Sequence, residues 1–218
     1  MSKQILVLIG SPRPKSTSGF LAQYLADGLA ARGWQAQVEI ACKAVRQPDH
    51  WPVLEAAFCE ADAVFVVSPV YVDSLPAELT SVLERLVGLR GGRPGRICAV
   101  FNCGFAEAVH NDVALNICRL FGRDAGLHWA GGLAIGGGGM LAGKPLTAHG
   151  PTAHIAAAFD QTIAAIDDGV DIPASALSGV RQPAIPAWLY FAMANLSFIT
   201  LAAQRGSLRT INARPYEE

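Results

Sequence analysis

Charge is scarce in this sequence: 16% of its 218 residues are charged, and 17 Lys and Arg stand against 18 Asp and Glu, for a formal net charge of −1. Without an excess of either sign there is no overall electrostatic footprint for nucleic acid or an anionic membrane, and neither is expected as a partner. Cysteine is sparse as well. The five thiols, Cys42, Cys59, Cys98, Cys103 and Cys118, are odd in number and form no CxxC pair, so neither a zinc knuckle nor a paired disulfide framework is signalled. A reducing cytoplasm is the expected location. At the N-terminus only Lys3 precedes the apolar stretch 5–9, which is shorter than the apolar core of a signal peptide and runs into a turn; export is not expected.

Several nucleotide signatures are missing too. Lys15 follows Gly10 with no second glycine, so the GxxxxGK[ST] loop that cradles a triphosphate is absent, and no GxGxxG follows the first apolar run. No cysteine nucleophile stands in that loop, and no clustered aspartates of a receiver domain stand at the strand ends. No metal site is expected.

What is present is apolar material: 51% of the residues are hydrophobic, enough for one domain of ordinary size with a large core. The 22 Gly and 13 Pro punctuate apolar runs, as turns do between the elements of a compact fold. Residues 4–9 (QILVLI) read as a strand buried on both faces, followed by a helix that Ser18 can cap and that carries Phe20, Leu21, Tyr24, Leu25 and Leu29 at helical spacing. Strands are predicted again at 34–40, 63–67, 96–101 and 127–135. Helices are predicted at 51–61, 76–87, 107–121 and 152–167. This alternation implies an α/β fold, a parallel sheet with helices on both faces wound by right-handed crossovers. The domain is expected to occupy 1–169, with 170–218 as a connector and a C-terminal helical extension.

In such a sheet the ligand crevice lies beyond the carboxyl ends of the strands. The loop after the first strand, Gly10-Ser11-Pro12-Arg13-Pro14-Lys15-Ser16-Thr17-Ser18, combines four hydroxyls and two cations with the start of a helix. That is an anion site in kind, with phosphate its usual occupant; the plainer reading is that the serines only cap the helix. After the third strand, Ser68-Pro69-Val70-Tyr71-Val72-Asp73-Ser74-Leu75-Pro76 is stiffened by two prolines and carries an aromatic suited to a flat ring. Tyr71 could equally do no more than cover the core. After the fourth strand, Asn102-Cys103-Gly104-Phe105 offers a close backbone approach and another aromatic.

Together these loops resemble those of the flavodoxin-like NAD(P)H-dependent FMN reductases, a family related to iron–sulfur flavoproteins. GSPRPKSTS is similar to their phosphate loop, SPVYVDSLPAELTSVLERL to the segment after their third strand, and FNCGF to the glycine-containing loop after the fourth, over about residues 3–169. The resemblance implies a flavodoxin-like, doubly wound five-stranded parallel sheet of order 2-1-3-4-5 with an added C-terminal helix. It implies FMN as cofactor and NADH or NADPH as co-substrate. Ser11, Arg13, Thr17 and Ser18 would hold the phosphate, and Pro69, Val70, Tyr71, Val72, Asn102, Gly104 and Phe105 would line the isoalloxazine. It also implies a homodimer whose crevices the partner chain completes. Two departures stand out: Thr80 follows Leu79 where the family commonly has a lysine, and Glu84-Arg85 replaces its Asp-Arg pair. No CxxCxxC occurs, so no iron–sulfur centre is expected.

With a flavin carrying the hydride, no general base is required of the protein. His50, His110, His128, His149 and His154 form no constellation with a nucleophile, and Cys103 is the thiol whose exposure matters. The function expected is an FMN-dependent oxidoreductase passing hydride from NAD(P)H to a small acceptor such as a quinone or free flavin. The alternatives are a flavodoxin-type electron carrier, which is usually strongly acidic, and a non-catalytic regulatory protein on the same fold. Two segments stay open. The loop 88–96, with Arg90, Arg93 and Arg96, reads either as a site for the extra phosphate of NADPH or as a solvated connector. The uncharged stretch 184–203 reads as a helix packed on the domain or a second subunit, or as a membrane anchor.

Overall fold

The chain is described by a computed structural model over residues 2–13, 15–141, 146–147 and 149–214; Pro14 of the first loop lies outside the described residues. Five strands, β1 (Gln4–Ile9), β2 (Gln35–Ile40), β3 (Ala63–Pro69), β4 (Arg96–Asn102) and β5 (His128–Ile135), form one sheet of order β2-β1-β3-β4-β5, with every pair parallel. The expected flavodoxin-like topology is therefore the observed one. β1, β3 and β4 lie inside the sheet and are almost wholly buried, which is why they read as continuous apolar runs. β2 is an edge strand and mostly exposed.

Alternation along the strands sends side chains to two cores. Ile5, Val7, Phe65, Val67 and Val100 pack under α1 (Thr17–Ala30), α6 (Ala153–Asp168) and α7 (Ala174–Gly179). Leu6, Leu8, Val64, Val66, Ala99 and Phe101 pack under α2 (Ala41–Arg46), α3 (Trp51–Glu60), α4 (Ala77–Leu86) and α5 (Asp112–Asp124). The short helix α2 and the 3-10 turn Pro48–His50 have no counterpart in the sequence pattern. There Glu39 and His50 meet at 2.6 Å, giving a buried edge carboxylate its partner.

Two helix starts differ from expectation. Ser16, not Ser18, caps α1: its Oγ accepts from the Gly19 N–H at 3.1 Å, while Ser18 is already inside the helix and turned into the core. The fourth predicted helix begins at Asp112 instead of 107, because residues 108–111 form a 3-10 turn in which Asn111 Nδ2 donates to the Ala108 and Ile135 carbonyls at 3.0 and 3.2 Å.

The compact unit runs to Ala184, beyond the expected boundary at 169, and residues 185–218 form a second unit. The reason lies in a bulge. Between Ile97↔Trp129 and Cys98↔Gly131 the register slips by one residue; Ala130 O then accepts from the Ile172 N–H at 2.8 Å. Gly131 has φ +135°, and a Cβ there would stand 3.1 Å from Ile172 Cβ, so a glycine at this position lets the returning chain close on β5. Ile172, Ala176 and Val180 are buried in the first core, so 170–184 folds with the domain, and the second unit holds α8 (Ala187–Gln204) with its flanking residues.

Candidate functional site

At the carboxyl edge of the sheet the loops after β1, β3 and β4 converge, and a cleft of about 270 Å³ opens among Ser11, Arg13, Lys15, Ser16, Thr17, Ser18, Pro69, Tyr71 and Asn102. Its floor depends on Gly10. That residue's N–H donates to Val67 O at 3.0 Å, and a Cβ in its place would lie 2.2 Å from Ser68 Oγ, so no larger residue allows the first loop to lie this close to β3. The start of α1 opens onto the loop. Gly19 N–H is taken by Ser16 Oγ and Phe20 N–H by Ser16 O, while the N–H groups of Thr17 and Ser18 have no intrahelical acceptor.

The hydroxyls have unequal duties. Thr17 Oγ1 donates to Gly138 O at 3.1 Å, fastening the helix start to the turn after β5. Ser11 Oγ accepts from the Arg13 N–H at 3.4 Å. Ser18 is buried, and its Oγ accepts from Asn102 Nδ2 at 2.9 Å; the same amide donates to Ser68 O at 3.2 Å. Asn102 thus ties α1, β3 and β4 together beneath the cleft. Lys15 and Ser16, which are outside the expected set, line it as well. Their signal in the sequence is their place in the same short loop.

Seven of the eleven candidates border the cleft; Val70, Val72, Gly104 and Phe105 are not among its lining residues. Val70 is partly buried against the second core. Val72 stands fully exposed at the tip of a tight hairpin in which Tyr71 and Ser74 exchange backbone hydrogen bonds of 2.9 and 3.2 Å. Gly104 and Phe105 are exposed on the neighbouring loop.

These two loops are clasped together by a histidine to which the sequence assigns no role. His110 Nδ1 lies 3.0 Å from both carboxylate oxygens of Asp73, and its ring stacks on Phe105 with centroids 4.5 Å apart. Separated by 37 positions, the histidine and the carboxylate carry no mutual signal in sequence. Cys103 sits below them, buried, with its Sγ within 3.3 to 3.7 Å of the Phe105, Glu107 and Ile135 carbonyls. Burial pushes its thiol above the ordinary cysteine range, which disfavours the thiolate that a nucleophile needs.

The arginine-rich loop is at the other edge of the sheet, before β4, and its three arginines are engaged by the protein itself. Arg90 is buried and donates to the carbonyls of Phe58, Ala61 and Pro94, with its guanidinium over the Phe58 ring. Arg93 pairs with Asp62 at 3.1 Å and Arg96 with Asp171 at 3.0 Å. On α4, Arg85 bonds Glu55 at 2.7 Å and lies 4.1 Å over the Trp51 ring. Among the described residues no group of His, Cys, Asp or Glu is arranged to hold a metal ion.

Residues 4–111 match a family model described as NADPH-dependent FMN reductase. Among solved structures the chain is similar to an NADH:FMN oxidoreductase in its apo form, at 19% identity and TM-score 0.58, over 85% of this chain and 97% of that one. It is also similar to an azoreductase from Bacillus anthracis str. Sterne, at 14% identity and TM-score 0.50, over 77% of this chain and all of the other. At these identities the likeness is one of fold. No curated protein matches the sequence.

Proposed function

We propose that the protein, whose residues 4–111 match the model of the NADPH-dependent FMN reductases, is an FMN-dependent oxidoreductase that takes hydride from NADH or NADPH and reduces a small acceptor such as a quinone or free flavin. The observation that carries this reading is the composition of the cleft. Four hydroxyls, Arg13, Lys15 and the start of α1 surround it, and neither a carboxylate nor a histidine is among its described lining residues. Such a set suits a dianionic phosphate ester, with charge-assisted hydrogen bonds and the positive end of the helix acting together. It offers no general base for hydrolytic chemistry.

The residues fit FMN. Ser11, Arg13, Lys15, Ser16 and Thr17 would hold its phosphate, with Ser18 and Asn102 supporting the loop from below. Pro69 and Tyr71 would form the wall against its ring, and Val70, Val72, Gly104 and Phe105 would approach it from the two exposed loops. Bound there, FMN would supply the hydride-transfer chemistry, accepting two electrons from the nicotinamide and passing them on. The chain's own part is to place and shield. Two prolines stiffen the loop after β3, and the His110–Asp73 pair with its Phe105 stack holds that loop to the one after β4. The sequence carries no GxGxxG dinucleotide fingerprint, so donor and acceptor would use one flavin face in turn, giving ping-pong kinetics.

The test is differential binding. In Arg13→Gln/Lys15→Gln, FMN affinity should fall by about 1.5–3 kcal/mol for each charge-assisted bond lost, whereas riboflavin, which lacks the phosphate, should bind as before. Equal losses for both ligands would remove the phosphate from this loop. Bleaching of the bound flavin by NADH or NADPH, followed by a screen of quinones and free flavins, tests the reductase reading. Flavin uptake without bleaching would instead identify an electron carrier.

A further inference from the structure

The near-neutral charge of the whole chain hides a segregated tail. Between Asp171 and Glu217 stand four arginines and no acidic residue. Within that stretch α8 has no charged residue, and none of its residues is buried. Trp188 and Phe198 are 71% and 67% exposed, and Phe191, Leu196 and Ile199 are exposed with them. At about 100° per residue these side chains, together with the exposed Met193 and Leu201, fall on every side of the helix and not on one stripe. The unit to which the helix belongs, 185–218, supplies no core, since none of its described residues is buried. An interface between two copies covers one face of each helix and leaves the other in water. A bilayer covers all of it.

The dimensions agree. Eighteen residues at about 1.5 Å each make a rod of roughly 27 Å, close to the ~30 Å hydrocarbon core of a membrane. Trp188 and Tyr190 occupy the first turn, where an aromatic belt meets the interface, and Arg205, Arg209 and Arg214 come after the last turn, where headgroup phosphates would lie. Thr200 Oγ1 donates to Leu196 O at 2.8 Å, so that hydroxyl is satisfied within the helix. Asn195, Ser197 and Gln204 hold the mean hydropathy of the helix to 1.2.

We infer that α8 inserts into a lipid bilayer with its arginine end against anionic headgroups, tethering the domain to a membrane surface. This is independent of what the cleft binds. The experiment mixes the full chain with vesicles of phosphatidylcholine, alone or with phosphatidylglycerol, and separates bound protein by flotation. The full chain should float with both, more strongly with the anionic vesicles, and should stay bound through a high-salt wash. Leu196→Arg/Phe198→Arg should lose flotation at least tenfold. Arg205→Gln/Arg209→Gln should lose only the preference for anionic vesicles. The domain's melting curve shows that each variant is folded, without reference to flavin. Protein left unfloated, protein stripped by salt, or a detergent-free soluble dimer that the double-arginine variant splits would each overturn the inference; the parent chain's flotation decides it even where a variant misfolds.

Discussion

Val72 and Asp73 both lie in the left-handed region, with φ of 52° and 57°, at the turn of the hairpin that borders the cleft. Asparagine and glycine suit such a turn; a β-branched residue there is strained by roughly 1–3 kcal/mol. Nothing packs against the fully exposed Val72 side chain to compensate. Val72→Gly is therefore expected to stabilise the protein by about 1 kcal/mol, raising the melting temperature by ~2–4 °C for a chain of this size. A melting curve that falls instead would show that the valine makes a contact in the folded state. The sequence displays this loop's prolines and aromatic openly. It carries no sign that Asp73 is anchored by His110, because that pairing depends on where two separate loops end in space.

At the scale of elements, α1 is joined to α6 by Tyr24, whose hydroxyl donates to Asp160 Oδ1 at 2.7 Å and whose ring meets Phe159 edge-on at 5.8 Å. Burial first, and then the hydrogen bond and negative charge of Asp160, push the phenol up to about 12 from its ordinary 10.0. A phenol with a raised folded-state value contributes stability that is complete below pH ~10 and is lost as pH climbs toward ~12, since the unfolded chain releases its proton first. Tyr24→Phe should flatten the decline in stability between pH ~10 and ~12. It should also cost about 0.5–1.5 kcal/mol near neutrality. Urea denaturation across that alkaline range checks both; an unchanged slope would mean the contact does not control the phenol.

For the molecule as a whole, the question is where the folding unit ends. Ile172, Ala176 and Val180 are each 4% exposed or less within the first core, and removing even one side chain such as Ile172 to Ala should cost about 2–5 kcal/mol. A chain ending at Gly169 should therefore unfold far more readily than the full protein, while one ending at Ala184 should keep its melting temperature and its FMN affinity. Similar stability of the two truncations would return the boundary to 169. The same comparison separates the domain's chemistry from α8, which the second unit carries without burying any of it.

The sequence by itself determined the five strands, most of the helices, their parallel alternation and the loop that gathers hydroxyls and cations at the start of α1. These are encoded locally, in continuous apolar runs, 3.6-residue spacing and turn residues, so neighbours along the chain suffice to read them. Tertiary structure decided the rest. It put Ser16 at the cap and Ser18 under Asn102, made a buried strut of Arg90, and clasped the two exposed loops through Asp73, His110 and Phe105. It also carried the domain past residue 169 on a one-residue bulge in β5. Each of these outcomes joins groups brought together only when the sheet has formed, and a hydrogen bond or a buried contact between distant residues leaves no periodicity in the chain that makes it.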